Sequence, residues 1–139
     1  MEITANALQT VVSNQNVLFT DTPVPGNSSI MHRDGSGLVS IRGLTQQCRA
    51  RYRISFGGNI ALPADGAAGP ISLAIAINGE AVAPTTMIVT PTATGAFFNV
   101  FSTIFIDVPA GCCSQVSVRN TSDVDIDVQN ANLIVERVA

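Results

Sequence analysis

Apolar and polar residues alternate along much of this 139-residue chain, a pattern typical of half-buried β-strands. Tyr52, Ile54 and Phe56 alternate with polar neighbours, and residues 71–77 place large aliphatic side chains at every second position. Asn78-Gly79 follows at once, a dipeptide favoured in two-residue hairpin turns because both positions adopt positive φ. Helical periodicity is convincing nowhere, so the alternation predicts an all-β chain.

Turn-forming segments rich in Gly, Pro, Asn, Asp and Ser separate the alternating runs, which leaves strands of ordinary length between them. This punctuation predicts a jelly-roll β-sandwich of about eight to ten strands. The chain is long enough to bury a core of its own, so residues 1–139 are expected to form a single domain, with residues 1–8 as a candidate flexible arm. The turn-forming segments lie at 23–27, 33–37, 63–70, 109–111 and 120–122.

Charged residues make up only 12% of the chain, against roughly 25% in ordinary domains. The net charge is −3 and the seven basic residues are all arginines, which argues against a nucleic-acid or anionic-membrane partner because both need a basic patch. The sequence contains no apolar run long enough to insert in a membrane, and its first residues predict no signal peptide. So few charges predict that another subunit covers some apolar surface, although abundant Ser, Thr, Asn and Gln could also solvate it.

Catalytic groups are sparse. His32 is the only histidine, and its position beside a glycine-rich turn predicts an exposed or strand-end side chain. Cys48, Cys112 and Cys113 are odd in number and lack zinc or thioredoxin spacing, so they are expected to be buried thiols, with a bridge from Cys48 to one of the pair as the alternative. The sequence therefore predicts no catalytic residue, no cofactor and no enzyme activity.

Two stripes of charge lie on predicted strands. The acidic stripe begins like a calcium-binding loop but lacks the glycine and glutamate that such a loop needs at its sixth and twelfth positions. A solvated outer strand face is the preferred interpretation, and the three aspartates remain weak metal candidates. The basic stripe is complementary to it, which suggests pairing across strands or subunits. The acidic stripe is Asp123, Asp125 and Asp127, and the basic stripe is Arg49, Arg51 and Arg53.

Residues 97–108 are apolar on both faces of the predicted strand, because phenylalanines alternate with a second series of apolar side chains. One face belongs to the core of a sandwich, so the other is expected to meet a loop or a neighbouring subunit. The phenylalanines of this second face are Phe97, Phe101 and Phe105.

Four segments carry a resemblance to a known superfamily, at residues 51–56, 71–80, 99–118 and 130–135. In their order and patterning they resemble the tumour necrosis factor and complement globular-head superfamily of trimeric jelly rolls. The resemblance implies a homotrimer about a threefold axis, with Phe97, Phe101 and Phe105 as candidates for the seam. It also implies a crown of partner-binding loops, for which the loops at 23–27, 63–70 and 82–95 are the candidates.

A closer resemblance is to a group of small proteins from gut Firmicutes and their prophages, carried by residues 70–74, 85–91, 111–113 and 129–134. It implies a location on a virion or bacterial cell surface. The leading hypothesis is a non-enzymatic trimeric decoration or fibre head that binds a particle protein, a host-surface protein or a glycan. The alternative is a calcium-dependent, lectin-like carbohydrate-binding domain that uses the aspartate stripe.

Overall fold

The computed structural model describes residues 1–44 and 46–139, and within them the chain forms twelve β-strands, one 3-10 turn at Ala83–Thr85 and no α-helix. The predicted all-β jelly-roll sandwich is confirmed. The strand number exceeds the predicted eight to ten because several strands have only two to four residues, too few for an alternation to show. The strands are β1 (Glu2–Ala5), β2 (Gln9–Val11), β3 (Asp21–Val24), β4 (Ile30–His32), β5 (Val39–Arg42), β6 (Arg49–Ala61), β7 (Ile71–Ile77), β8 (Glu80–Ala81), β9 (Met87–Val89), β10 (Phe98–Pro109), β11 (Cys113–Asn120) and β12 (Ile126–Arg137).

Two antiparallel six-stranded sheets face each other. The first sheet has the order β10-β6-β12-β1-β3, with β2 also paired to β12, and the second has the order β4-β5-β11-β7-β8, with β9 also paired to β7. The longest strands, β6, β10 and β12, lie side by side in the first sheet, so β10 occupies one edge of that sheet. Among the described residues, no helix is long and apolar enough to span a membrane.

The core lies between the sheets and is built by the alternation seen in the sequence. Tyr52, Ile54 and Phe56 of β6 are fully buried, while Arg53 and Ser55 between them point outward. The Tyr52 hydroxyl donates a hydrogen bond to the Arg42 carbonyl oxygen at 2.6 Å, which satisfies its polar end inside the sandwich. Phe56 meets Phe19 edge to face, with ring centroids 6.4 Å apart. One apolar core therefore joins both sheets.

The N-terminal segment is part of the first sheet. Strand β1 pairs with β12 on one side and with β3 on the other, and its residues Ile3 and Ala5 are buried. The Met1 ammonium donates a hydrogen bond to the Val135 carbonyl oxygen at 2.8 Å. The prediction of a flexible arm is therefore wrong for residues 1–5, because a short segment with two buried apolar side chains is held by strand pairing that the sequence alone does not reveal.

The sandwich has two ends, which differ in their connections. At one, called the loop end, β6 finishes at Ala61 opposite Asp127, and Phe98 at the start of β10 lies opposite Ile60. The connections 62–70, 90–97 and 121–125 gather there. At the other, called the cysteine end, Pro109 of β10 lies opposite Arg49, and residues 43–44, 46–48 and 110–112 follow the strand ends there.

This arrangement corrects the expected crown of loops. Val24 lies opposite Glu2, which in turn lies opposite Ile134 near the far end of β12. Residues 23–27 therefore lie towards the cysteine end, whereas 63–70 lie at the loop end. Residues 82–95 run along the edge of the second sheet and reach the loop end at Gly95, whose amide donates to the Leu62 carbonyl oxygen at 3.0 Å.

The three cysteines are free and exposed at the cysteine end. The amide of Ala110 donates to the Cys48 carbonyl oxygen at 3.1 Å, and the amide of Cys112 closes a tight turn on the Pro109 carbonyl oxygen at 3.1 Å. The expectation of buried thiols is wrong, and so is the alternative of a bridge from Cys48. Cysteine is usually a core residue, but here Cys112 lies in the turn between β10 and β11 and Cys113 begins β11, both at the surface.

Candidate interaction surface

The outer face of the first sheet exposes two aromatic side chains. Phe101 and Phe105 of β10 are 64% and 61% exposed, while Val100 and Val108 of the same strand point inward and are buried. We call this surface the seam face, defined by the outward residues of β10, β6 and β12. Phe97 lies just before β10 and is 43% exposed. All three predicted seam phenylalanines are therefore accessible, and their contact with another subunit stays a prediction.

The strand register explains why these rings are uncovered. Phe101 lies opposite Gly57 of β6, which has no side chain to shield the ring. Phe105 lies opposite Arg53, whose guanidinium is paired instead with Glu136 of β12. The two rings therefore lie at the edge of the sheet, and the residues opposite them on β6 do not cover them.

A charged cluster flanks Phe105 on the side of the cysteine end. Arg51 donates two hydrogen bonds to the Asp107 carboxylate, from Nε to Oδ1 at 2.8 Å and from Nη2 to Oδ2 at 3.1 Å. Arg49 adds a second cation, with its Nε 3.3 Å from Asp107 Oδ2. Two-point contacts of this kind fix geometry better than single ones, so the cluster holds a defined shape next to the ring. Arg51, Phe105 and Asp107 enclose a shallow hollow of about 290 Å³.

The arginine stripe therefore finds partners other than the predicted ones. Arg49 and Arg51 pair with Asp107, and Arg53 pairs with Glu136. Within the chain the expected pairing with the aspartate stripe is wrong, because Asp127 lies opposite Ala61 at the loop end. Which side chains lie opposite each other depends on the strand register, and the spacing of residues in the sequence does not determine that register.

Replacing Arg51 by glutamine is expected to raise the titration midpoint of Asp107. The hydrogen bonds from Arg51 hold the pKa of the Asp107 carboxyl below its ordinary value of 3.8, and losing them moves the pKa back towards that value. Since the folded-state pKa is depressed, the pair stabilises the fold above pH 3.8, and this contribution is lost as the pH falls through the folded-state pKa. Side-chain carboxyl NMR across an acid titration measures the midpoint. Arg33→Gln is the control, and an unchanged midpoint in Arg51→Gln contradicts the assignment.

The aspartate stripe does not form one strand face. Strand β12 begins at Ile126, so Asp123 and Asp125 lie in the preceding turn, and only Asp127 belongs to the strand. The buried Asn120 causes this bend: its Nδ2 donates to the Val124 carbonyl oxygen at 2.8 Å, and its Oδ1 accepts from the Ser122 amide at 2.9 Å. Such side-chain bonds to nearby backbone compete with strand pairing.

Nothing in the described part of the chain brings the weak metal candidates together. Asp127 Oδ1 accepts a hydrogen bond from Thr10 Oγ1 at 2.7 Å, while Asp123 and Asp125 are exposed. Residues 1–44 and 46–139 contain no group of three His, Cys, Asp or Glu side chains placed to hold one ion. Calcium needs six to eight oxygen ligands, and this arrangement does not supply them.

We expect millimolar calcium to leave the melting temperature of the protein unchanged. A ligand that binds the native state raises its stability in proportion to ln(1 + [L]/Kd), and the separated aspartates offer no site of useful affinity. Thermal melts with calcium and with a chelator measure this, and magnesium serves as the control for ionic strength. A melting temperature that rises with calcium but not with magnesium would contradict this expectation and support the calcium-dependent lectin hypothesis.

His32 ends β4 as expected, but its side chain is fully buried rather than exposed. Its ring nitrogens face backbone carbonyl oxygens, Nδ1 that of Leu38 at 3.1 Å and Nε2 that of Phe19 at 3.3 Å. The ring thus ties the turn that follows β4 to the segment that precedes β3. Both hydrogen-bond partners of the ring are backbone carbonyl oxygens and neither is a thiol.

A groove at the loop end is the feature that the sequence reasoning missed. It has a volume of about 400 Å³ and crosses the outer surface of the second sheet. The groove is built by residues far apart in the chain, which the sequence alone does not bring together. The only sequence signal for it was the loop-forming composition of residues 63–70. The groove is lined by Ala67, Ala68, Gly69, Pro70, Ser72, Ile88, Thr121, Ser122, Asp123 and Val124.

Comparison with known proteins identifies the fold of this chain but no family to which it belongs. No family model matches the chain, and no curated protein matches it. The globular domain of the zebrafish complement 1qA protein superposes with a TM-score of 0.59 at 12% identity, over 96% of this chain and 93% of that one. CBM35 from Cellvibrio japonicus Abf62 matches over 100% of this chain and 98% of that one, but with a TM-score of 0.39 at 12% identity, which is too low to support an argument. The chain therefore shares the jelly-roll fold of the complement 1qA globular domain.

Proposed function

We propose that this chain is a non-enzymatic structural and binding module that assembles as a homotrimer through its seam face. The observation that carries the proposal is the exposure of Phe101 and Phe105 on one face of one strand. They are four residues apart, so their side chains stand roughly 13 Å from each other along β10. Soluble monomers seldom expose large apolar patches, and a chain with 12% charged residues has little charge to offset one.

The threefold arrangement rests on two supports. The sequence resembles a superfamily of trimeric jelly rolls, and β10 lies at the edge of the first sheet. Three copies arranged in a ring could bring this edge close to a common axis, where Phe101 and Phe105 of each copy would meet. Ring closure requires a heterologous contact, in which one patch of a subunit meets a different patch of the next. The arginine–carboxylate pairs beside Phe105 then set the register of that contact.

The proposed setting is a phage particle or a bacterial surface, where the trimer acts as a decoration or fibre head. The support for it is the sequence resemblance to small proteins of gut Firmicutes and their prophages. In this arrangement the loop end is presented to partners, with residues 63–70 and 90–95 forming the binding loops. Mass spectrometry of purified particles and of cell-surface fractions tests the location, and absence of the chain from both contradicts it.

Light scattering on a sizing column tests the assembly. The proposal expects a native mass of three times the 14.5 kDa of the chain, independent of dilution over the micromolar range. A single species at the mass of one chain would overturn the trimer and leave the sandwich fold unaffected.

A further inference from the structure

We infer that the loop-end groove is a docking site for a lysine or arginine side chain of a partner protein. This inference deepens the proposed binding function by naming the chemistry of the partner, and it rests on that function. The groove lies on the outer face of the second sheet, away from the seam face on the first, so trimer assembly through the seam face leaves it open.

The floor of the groove is a row of side chains across two strands, β9 and β7, and the start of the β11–β12 connection. Ser72 of β7 lies opposite Ile88 of β9, and on its other side the Ser72 carbonyl oxygen accepts a hydrogen bond from the Thr121 amide at 3.1 Å. The hydroxyls of Ser72 and Thr121 bond to each other at 2.6 Å. One of these hydroxyls donates to the other, so the pair keeps only one O–H to donate to a hydroxyl-rich ligand such as a sugar.

The walls of the groove are apolar. Ile88 is 66% exposed, the highest exposure of any large hydrophobic residue among those described, and Ala67, Ala68 and Pro70 form the facing loop. Exposed aliphatic groups of this kind favour a ligand that brings apolar surface with it. The volume of about 400 Å³ lies in the lower part of the range for ligand sites, which suits one long side chain with its adjoining backbone.

The charge of the groove is negative and uncompensated. Asp123 is the only charged residue of its lining, and none of the ion pairs formed by residues 1–44 and 46–139 involves its carboxylate. Asp125 follows two residues later, so the field around the groove is acidic. Charge complementarity therefore requires a cationic occupant.

Lysine and arginine side chains combine the two properties that the groove requires. Each carries a stem of methylene groups that packs on apolar surface and ends in a cation. The stem fits against Ile88 and the alanines, and the cation reaches Asp123. A segment of a partner protein that presents such a side chain is the occupant that this chemistry selects.

Titration of the intact protein with two blocked peptides tests the inference: acetyl-Gly-Lys-Gly-amide and acetyl-Gly-Arg-Gly-amide, each followed by backbone-amide NMR. Saturable shifts are expected at residues 67–69, 88 and 121–124. Asp123→Asn should weaken binding by about three- to fivefold, the upper range for one exposed ion pair. Asp125→Asn is the matched control because it removes a carboxylate from the same turn outside the groove. Ile88→Asn should weaken binding without changing the charge.

Four results would overturn the inference: shifts confined to other residues, equal weakening by both aspartate variants, equal binding of the Nε-acetyl-lysine peptide, or shifts produced by glucosamine and not by the peptides. The native mass of each protein is measured in the same samples. A trimer that fails to bind overturns the groove assignment alone, and a monomer that binds overturns the trimer alone.

Discussion

Replacing Phe101 and Phe105 together by serine is expected to lower the native mass from that of three chains to that of one. Both rings are largely exposed in the single chain, so their loss costs the isolated sandwich little. In the proposed trimer each ring is buried by a neighbour, and burying a phenylalanine side chain contributes roughly 1.5–3 kcal/mol. Six rings are removed from each trimer, a loss comparable to the free energy that holds a small interface together. Light scattering over a range of concentrations measures the change.

Ile88→Ser is the matched control for this double replacement. It also removes an exposed apolar side chain, but from the outer face of the second sheet, so the trimer should persist. Circular dichroism of both variants shows whether the sandwich is intact. A folded double variant that keeps the mass of three chains would show that the seam lies elsewhere on the surface.

Replacing Phe56 by alanine is expected to reduce the free energy of unfolding by about 3–5 kcal/mol, the usual cost of truncating a buried phenylalanine. The ring is fully buried and meets Phe19 edge to face. It also lies under Gly58, where an added Cβ would come within 3.3 Å of the ring, so this part of the core is closely packed. Urea unfolding at a fixed protein concentration measures the loss, because assembly makes apparent stability depend on concentration.

Ile88→Ala provides the comparison for the core replacement. Its side chain is mostly exposed, and surface substitutions of this kind usually change stability by less than about 0.5 kcal/mol. A loss below about 1 kcal/mol in Phe56→Ala would mean that the core collapses around the missing ring. That result would contradict the close packing between the two sheets.

The two proposed surfaces lie on opposite faces of the sandwich, which makes assembly and recognition compatible. The seam face uses β10 and its neighbours in the first sheet, and the groove uses β7, β9 and the start of the β11–β12 connection in the second. A trimer built on the first face would present three grooves outward at the loop end. Weak binding of single cationic side chains could then add up through effective concentration.

The local sequence determined the strands and the face that each one buries. Tyr52, Ile54 and Phe56 are buried as their alternation predicts, and Ile71, Leu73 and Ile75 behave in the same way. Asn78 and Gly79 have positive φ angles of 53° and 83°, as a tight hairpin turn requires. These features depend on residues that are neighbours in the chain, since a strand has a period of two whatever its partner.

Tertiary pairing decided which side chains meet, and there the sequence was a poor guide. Arg51 finds Asp107 because β6 and β10 are adjacent in one particular register, and the aspartates that complement the arginine stripe in sequence lie at the other end of the sheet. The short β1 is held by two long-range partners, and the buried Asn120 turns the chain before β12 can extend back to Asp123. Register and turn bonds join residues far apart in sequence, so they follow from the packing of the whole core rather than from any local pattern.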